Sequence, residues 1–196
     1  MMTLLNRRLA MCAIASLAAC SADKPAFKGI DITGAAYARQ IALPDVSGKP
    51  RSLADFKGKV VVVFFGYTQC PDACPTTLAE IAEAKTKLGP DGDKLLTLFV
   101  SLDPERDTPE VLTAYVATFG RDTVALRGTL EQTQAAAKEF KIFFAKVPGK
   151  SQGAYTVDHT AGSFVFDPQG RVRLYIRQDG GAEAMASDIR LLLGGA

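Results

Sequence analysis

The segment Lys59–Gly66 (KVVVVFFG) is a continuous run of β-branched and aromatic residues after its opening lysine. A strand with one face in water alternates apolar and polar residues, whereas a strand covered on both faces is apolar throughout. The run therefore predicts a strand in the middle of a layered domain. A second run of this kind, KLLTLFVSLD at residues 94–103, predicts another buried strand that ends at Asp103.

The remaining segments predict an α/β fold with a central mixed sheet and helices on both faces. A hairpin is predicted around Ser47-Gly48, where turn residues separate two short extended segments. Helices are predicted at 75–88, 109–119, 129–140 and 182–193, with further strands at 123–127, 162–166 and 171–177. At 196 residues and 47% hydrophobic content, the chain is long enough to form one such domain without disulfide staples.

The first twenty residues have the pattern of a secretory signal. Arg7 and Arg8 precede an apolar run, Leu9–Ala19, which is shorter than the roughly 20 apolar residues that cross a bilayer. The segment Leu17–Cys20 resembles the bacterial lipoprotein box, in which the cysteine becomes the lipidated N-terminus. We therefore expect a signal peptide at 1–19, a linker at 20–41 and a domain at 42–196. The alternative is an uncleaved anchor, or an ordinary signal peptide that ends in a chance cysteine.

This pattern predicts an exported protein that a lipid anchor on Cys20 holds at the periplasmic or extracytoplasmic side of a membrane. Ser21 follows the cysteine where an aspartate would be associated with retention in the inner membrane, so the target membrane stays open. The formal net charge of +2 falls to zero on cleavage, which removes two arginines and no acidic residue. Because the chain has no basic block, no nucleic-acid partner is expected.

Two cysteines, Cys70 and Cys74, remain for chemistry once Cys12 leaves with the leader and Cys20 carries lipid. They lie in YTQCPDACPTTLAEI, between a buried strand and the next helix, where open α/β sheets bind ligands. A disulfide that closes so short a loop would stabilise the fold little, so the pair is more typical of chemistry than of a structural staple. The alternative is a pair of small, buried, inert cysteines.

We expect the sulfur of Cys74 to lie near a helix N-terminus, because the next residue, Pro75, is a favourable first helical residue. Unpaired backbone N–H groups at that position favour negative charge and lower the pKa of a nearby thiol. The sequence thus predicts a reactive thiol at Cys74.

The only histidine of the chain, His159, lies in YTVDHTAGSFVFDPQG. A lone histidine is usually a structural residue, but two thiolates and one imidazole form a ligand set that suits copper in either valence. A closed structural zinc site needs four such ligands, whereas an open zinc site with three protein ligands is chemically possible. Asp158 could orient the imidazole, although an ordinary solvated loop acid explains it equally well.

At these residues the chain resembles the Sco/SenC family of membrane-tethered copper proteins. The matching segments are VVVFFGYTQCPDACPTTL, SLDPERDTPEVLTAYV and YTVDHTAGSFVFDPQGRVR, in the order that the family has them. The resemblance implies a thioredoxin-like fold, with Cys70, Cys74 and His159 as ligands of copper(I) and copper(II). It further implies a metallochaperone role in cytochrome c oxidase assembly, in which copper is delivered to the oxidase or the cysteines of its copper site are reduced. The implied partner is the copper-bearing oxidase subunit or another exported copper protein.

Further residues could contribute to this site. Asp103 matches the family in DPERDTPE and would support the site or a partner contact, although a local turn explains it as well. Asp107 or Thr108 is expected as a helix cap. Tyr67 and Tyr155 could line the site, but core packing is the simpler interpretation of both.

Three other functions remain to be weighed. A thiol–disulfide oxidoreductase, an enzyme with Cys70 and Cys74 as its redox-active pair, fits the fold but not the CxxxC spacing, and it has no need of His159. A peroxiredoxin is disfavoured, because Val63 and Tyr67 stand where that family has proline and threonine. A lipoprotein without chemistry leaves the three potential ligands unexplained. Convergence of the imidazole with both sulfurs would favour a metal, and a distant His159 would favour redox chemistry.

Overall fold

The structure is a computed structural model that describes residues 26–196. The expected signal peptide and Cys20 lie outside the described residues. The strands are β1 (Ile30–Asp31), β2 (Leu43–Pro44), β3 (Pro50–Arg51), β4 (Val60–Gly66), β5 (Leu95–Ser101), β6 (Thr123–Leu126), β7 (Phe144–Pro148), β8 (Tyr155–His159), β9 (Ser163–Phe166) and β10 (Val172–Ile176). The helices are α1 (Ala73–Lys87), α2 (Pro109–Ala117), α3 (Leu130–Glu139) and α4 (Ala182–Leu193), with 3₁₀ turns at Leu53–Phe56 and Gly89–Lys94. Within the described range, every helix is too short or too polar to cross a bilayer.

Six strands form the main sheet in the order β1-β10-β9-β4-β5-β6. The central strand β4 runs parallel to β5 and antiparallel to β9, and β6 continues the parallel side. Every residue of β4 and β5 is buried, as their uninterrupted apolar sequences predict. The expected mixed sheet is confirmed.

Helices cover both faces of this sheet. Successive strand residues point to opposite faces, so Phe64 and Phe65 on β4 indicate what lies on each side. The Phe65 ring packs against Phe140, which follows α3, with centroids 5.0 Å apart. On the other face Phe64 contacts Phe99, and Phe99 contacts Tyr115 of α2. The core thus extends through both layers.

The domain begins earlier than expected, within the segment assigned to the linker. Strand β1 pairs with β10 at the sheet edge, and the backbone N–H groups of Lys28 and Gly29 donate to the Asp188 carboxylate at 2.8 and 2.7 Å. Ala38 and Ile41 are buried. These attachments combine short backbone pairing with irregularly spaced apolar contacts, which leave no regular hydrophobic period in the sequence and therefore escaped prediction.

The largest element that the sequence did not predict is the hairpin of β7 and β8, which forms a two-stranded sheet of its own. Strand β7 is mostly exposed and lacks the alternation of a half-buried strand, whereas β8 alternates over its five residues, a signal that the sequence interpretation missed. His159 is the last residue of β8. The hairpin therefore decides where the only histidine lies.

Candidate metal centre

Strand β4 ends at Gly66, and a short loop leads from it into α1. Cys70 lies on this loop and is partly exposed, whereas Cys74 lies in the first turn of α1 and is fully buried; both are free thiols. A Cβ atom at position 66 would lie only 2.8 Å from the Cys74 sulfur. Glycine at the end of the strand thus lets the sulfur reach the edge of the sheet.

The N-terminus of α1 acts on the sulfur of Cys70. Because α1 begins at Ala73, two residues earlier than predicted, the backbone N–H of Cys74 belongs to the first turn and has no partner within the helix. It donates to the Cys70 sulfur at 3.3 Å. The sulfur of Cys70 thus lies at the N-terminal end of α1.

The expected lowering of the thiol pKa at Cys74 is wrong. Burial, which disfavours the thiolate, is the largest cause of a strongly raised pKa at Cys74, and the side chain of Cys70 raises it further. A hydrogen bond from the Tyr67 backbone acts in the opposite direction without reversing the shift. The structure therefore divides the pair into a buried thiol and a partly exposed sulfur at the helix end.

The imidazole of His159 is oriented by the backbone of its own strand. Its Nδ1 atom lies 3.1 Å from the carbonyl oxygen of Val157, which can only accept a hydrogen bond, so Nδ1 carries the proton. In the neutral ring Nε2 then keeps its lone pair for a ligand. Nε2 lies 3.9 Å from the Cys74 sulfur, and the Tyr67 ring meets the imidazole edge-on.

The distance between Cys74 and His159 fits two ligands of one metal ion. Two ligands of one trigonal metal, with bonds of about 2.3 Å to sulfur and about 2.0 Å to nitrogen, lie about 3.7 Å apart. The observed 3.9 Å between Cys74 and His159 is close to that separation. The third donor, Cys70, is hydrogen-bonded to Cys74. Within residues 26–196, however, no group of three or more His, Cys, Asp or Glu side chains is already arranged to hold a metal ion, so the structure brings together the pair Cys74 and His159 rather than a complete three-ligand site.

Asp103 lies beside this site rather than at the surface. It is buried, accepts a hydrogen bond from the Tyr155 hydroxyl at 2.9 Å and forms an ion pair with Arg106. Burial raises the pKa of Tyr155, and the hydrogen bond to Asp103 raises it further. Because Tyr155 opens β8, this contact ties the end of β5 to the strand that carries His159.

Asp107, which the sequence offered beside Thr108 as a possible helix cap, belongs instead to the region of the site. It is fully buried and accepts hydrogen bonds from the hydroxyls of Thr68 and Ser101, each at 2.6 Å. Burial raises its pKa, and these hydrogen bonds oppose the shift. Thr108 is the cap of α2 instead, since its hydroxyl accepts from the N–H of Val111. The sequence signal that could have identified Asp107 as a site residue was the concentration of charged residues in DPERD, shortly after a buried strand.

The other expected residues lie as follows. Asp158 has an exposed side chain, and the direct partner of the imidazole is the Val157 carbonyl; the role expected of Asp158 stays a prediction. Tyr67 is buried and also contacts the imidazole, so it belongs to both the core and the site.

Comparison with known proteins places these features in a family. The family model described as SCO1/SenC matches residues 31–194. The mouse (Mus musculus) protein SCO2 homolog, mitochondrial, is 32% identical over 151 residues, which cover 76% of this chain and 59% of that protein. The chain spans about half the length of the curated relatives it matches.

Two solved structures extend the comparison. ScoI from Bradyrhizobium japonicum, with copper bound, has 37% identity and a TM-score of 0.69, covering 77% of this chain and 96% of that one. A SCO1/SenC family lipoprotein from Bacillus anthracis has 26% identity and a TM-score of 0.65, covering 78% and 92% of the two chains. These similarities confirm the thioredoxin-like α/β fold.

Proposed function

Because this chain belongs to the SCO1/SenC family, we propose that it is a metallochaperone that holds copper through Cys70, Cys74 and His159 and assists assembly of the copper centre of cytochrome c oxidase. The observation that carries this proposal is the approach of His159 Nε2 to within 3.9 Å of the Cys74 sulfur. An unprotonated imidazole nitrogen beside a buried thiol is a donor pair that a copper ion can share once the thiol proton is displaced. The copper found in the Bradyrhizobium relative supports the choice of metal.

The three ligands divide the work between the two copper valences. Two thiolates suffice for copper(I), which accepts linear sulfur coordination, whereas copper(II) gains most from the imidazole. Since burial raises the pKa of Cys74, loading must displace a proton from that thiol. The partial exposure of Cys70 gives an incoming copper ion or a partner access to that sulfur first.

The expected location and partner belong to this proposal. A lipid on Cys20 would hold the domain at the periplasmic or extracytoplasmic face of the membrane, and the lipoprotein relative from Bacillus anthracis supports that expectation. The partner would be the copper-bearing oxidase subunit or another exported copper protein. Mass spectrometry of the N-terminus in the native host tests the anchor: a free, unacylated Cys20 would contradict it.

A thiol–disulfide oxidoreductase is the second candidate, and the state of Cys70 favours it. Its sulfur is partly exposed and accepts the N–H at the helix end, which suits an attacking thiolate. Attack on a partner disulfide would form a mixed disulfide, and Cys74 would then release the reduced partner and leave a Cys70–Cys74 disulfide. The same two sulfurs cannot form that disulfide and also bind copper.

An anaerobic copper titration of the reduced domain separates the two functions. We expect one copper per domain, no tight binding after Cys70→Ala or Cys74→Ala, and a larger loss of copper(II) than of copper(I) affinity after His159→Ala. The titration is then repeated on domain that has been oxidised until no free thiol remains. Undiminished affinity in that form would show that the sulfurs are not ligands and would leave the oxidoreductase as the better function.

A further inference from the structure

The ligands of the proposed site come from two separate parts of the fold. The loop of residues 67–72 and the first turn of α1 carry the cysteines, and the β7–β8 hairpin carries His159 on a different sheet. The Cys74 and His159 side chains that approach each other are 85 positions apart in sequence. We call residues 67–72 the cysteine loop. The distance between the Cys74 sulfur and the imidazole therefore depends on the side chains that join this loop to the hairpin.

Arg106 contacts both parts. Its NH1 nitrogen donates to the side-chain oxygen of Gln69 at 3.1 Å and to the backbone carbonyl of Tyr155 at 2.9 Å. Gln69 directly precedes Cys70, and Tyr155 is the first residue of the strand that ends in His159. One nitrogen thus connects a neighbour of the first sulfur with the strand of the imidazole.

The position of this guanidinium is fixed from several sides. Its Nε pairs with the buried carboxylate of Asp103, which also accepts the hydroxyl of Tyr155. Its plane lies over the Tyr155 ring, with the central carbon 3.6 Å from the ring centroid, and the Tyr67 ring lies at 5.8 Å. A planar group held by an ion pair, a ring stack and two hydrogen bonds has little freedom to turn.

We propose that Arg106 is a positioning residue for the copper site, which sets the distance between the cysteine loop and the hairpin of His159. This inference rests on the proposed function for its purpose, but the contacts that carry it do not depend on copper. Through Gln69 and Tyr155 the guanidinium holds the two ligand-bearing segments at the separation at which Nε2 meets the Cys74 sulfur.

A second arginine shows what a purely structural role looks like at the same loop. Arg127 donates to the carbonyl oxygens of Pro104 and Asp107, both at 2.8 Å, and so supports the 103–107 loop. Both of these acceptors lie in that loop rather than in the cysteine loop or the hairpin. Arg106, by contrast, has a buried NH2 nitrogen without a hydrogen-bond partner among the described residues. Its position therefore leaves one of its own donors unsatisfied while it connects the cysteine loop to the hairpin.

The experiment compares Arg106→Lys with Arg127→Lys in the reduced domain. Lysine keeps the positive charge beside Asp103, but its single ammonium cannot reproduce the fork and the stack. Arg106→Ala and Gln69→Ala serve as further variants. Gln69→Ala is included because Arg106→Ala leaves the buried carboxylate of Asp103 unpaired, whereas Gln69→Ala removes only the contact to the cysteine loop. Thermal unfolding confirms that each variant tested is folded.

Two readouts are measured. The first needs no copper: nuclear Overhauser contacts between the rings of Tyr67 and His159, which we expect to vanish in Arg106→Lys and to persist in Arg127→Lys. The second is affinity for each copper valence. Removing partners that orient metal ligands typically weakens binding about 10- to 100-fold, and we expect such a loss for copper(II) in Arg106→Lys, a smaller one for copper(I), and neither in Arg127→Lys.

The inference is overturned if Arg106→Lys keeps both the ring contact and the copper(II) affinity, or if Arg127→Lys loses them to the same extent. If the wild-type domain binds no copper, the proposed function fails while the ring contact still decides whether Arg106 positions the hairpin. A lost ring contact confined to the Arg106 and Gln69 variants supports the inference in either case.

Discussion

The two halves of the candidate site are built in different ways. Cys74 is fully buried in a helix that packs beside the central strands, and the glycine that ends β4 lies directly against its sulfur. His159 is half-buried at the end of a two-stranded hairpin outside the main sheet. The cysteine half is thus positioned by the core, and the histidine half by a few polar contacts.

This difference has consequences for stability. Apolar burial contributes roughly 25 cal/mol per Å², and in the cysteine half the side chain of Cys74 is fully buried within the core. In β8, Val157 is the one fully buried side chain, and the strand β7 is mostly exposed. Segments with few buried apolar contacts open more readily than core elements. We therefore expect the imidazole to be more easily displaced than either sulfur.

The largest effect is expected from Gly66→Ala in the cysteine half. The added methyl group would lie 2.8 Å from the Cys74 sulfur and 2.9 Å from a ring carbon of Phe99. Overpacking of this kind typically costs about 1–3 kcal/mol, and it should push the sulfur away from its position. Urea denaturation of the reduced domain measures the loss of unfolding free energy, and copper titration measures the loss of affinity.

Gly194→Ala is the matched control for this substitution. Gly194 has a negative φ, and the nearest atoms to an added Cβ are backbone oxygens at 3.4 and 3.5 Å, near ordinary contact. We expect a much smaller change in stability and none in copper binding. Equal effects at the two positions would mean that the cysteine half is less tightly packed than its geometry indicates.

The same division separates what the sequence could predict from what it could not. The strands β4 and β5 were predicted because burial on both faces leaves an unbroken apolar run. The cap at Thr108 was predicted because it depends on local chemistry. The hairpin was not predicted, since β7 is mostly exposed and carries no periodic pattern, and the alternation of β8 spans only five residues.

The residues of the site also differ in whether the sequence could predict them. Cys70, Cys74 and His159 could be identified from their chemistry and from the family resemblance, and the structure brings Cys74 and His159 together. Their roles as ligands stay predictions. Arg106 could not be found, because its bridge to Tyr155 joins positions 49 apart and exists only once the hairpin is folded.

The second prediction addresses the polar attachment of the hairpin. Tyr155→Phe keeps the ring under Arg106 but removes the hydroxyl that donates to buried Asp103. We expect the unfolding free energy to fall by about 1 kcal/mol, the typical net contribution of a hydrogen bond. Hydrogen exchange should speed up for amides of the hairpin and stay unchanged in β4 and β5.

Tyr115→Phe applies the same chemical change to the core. The Tyr115 hydroxyl is buried and has no hydrogen-bond partner within the described part of the chain. Removing it relieves an unsatisfied polar group, so we expect stability to stay constant or to rise slightly. If both variants lose stability equally, the hydroxyl of Tyr155 has no special role in attaching the hairpin.

The third prediction concerns pH and the carboxylate that anchors the cysteine loop. Burial raises the pKa of Asp107 above its ordinary value of 3.8. An acid whose pKa is raised in the folded state contributes stability below its unfolded pKa, and this contribution is lost as pH rises through the folded pKa. Asp107→Asn does not ionise, so its stability does not fall with rising pH for this reason. It keeps a hydrogen-bonding side chain beside Thr68 and Ser101.

The stability of Asp107→Asn relative to the wild type should therefore increase between about pH 4 and pH 7. We expect the change to be smaller than that of Tyr155→Phe, because an amide can still accept from Thr68. Urea denaturation of both proteins across this range provides the measurement. A difference that stays constant with pH would show that Asp107 is not held at a raised pKa.

The smallest effect is expected at the surface contact between the hairpin and the 103–107 loop. Lys146 and Glu105 form an ion pair at 2.6 Å, but their side chains are 43% and 57% exposed. Exposed pairs of this kind contribute about 0.2–1 kcal/mol, and salt screens them further. Glu105→Gln should therefore change stability within that range at low salt and less at high salt, with no change in copper affinity. A large increase in hydrogen exchange across β7 and β8 would contradict this, because it would mean that surface charge, rather than the partly buried Arg106, attaches the histidine half to the domain.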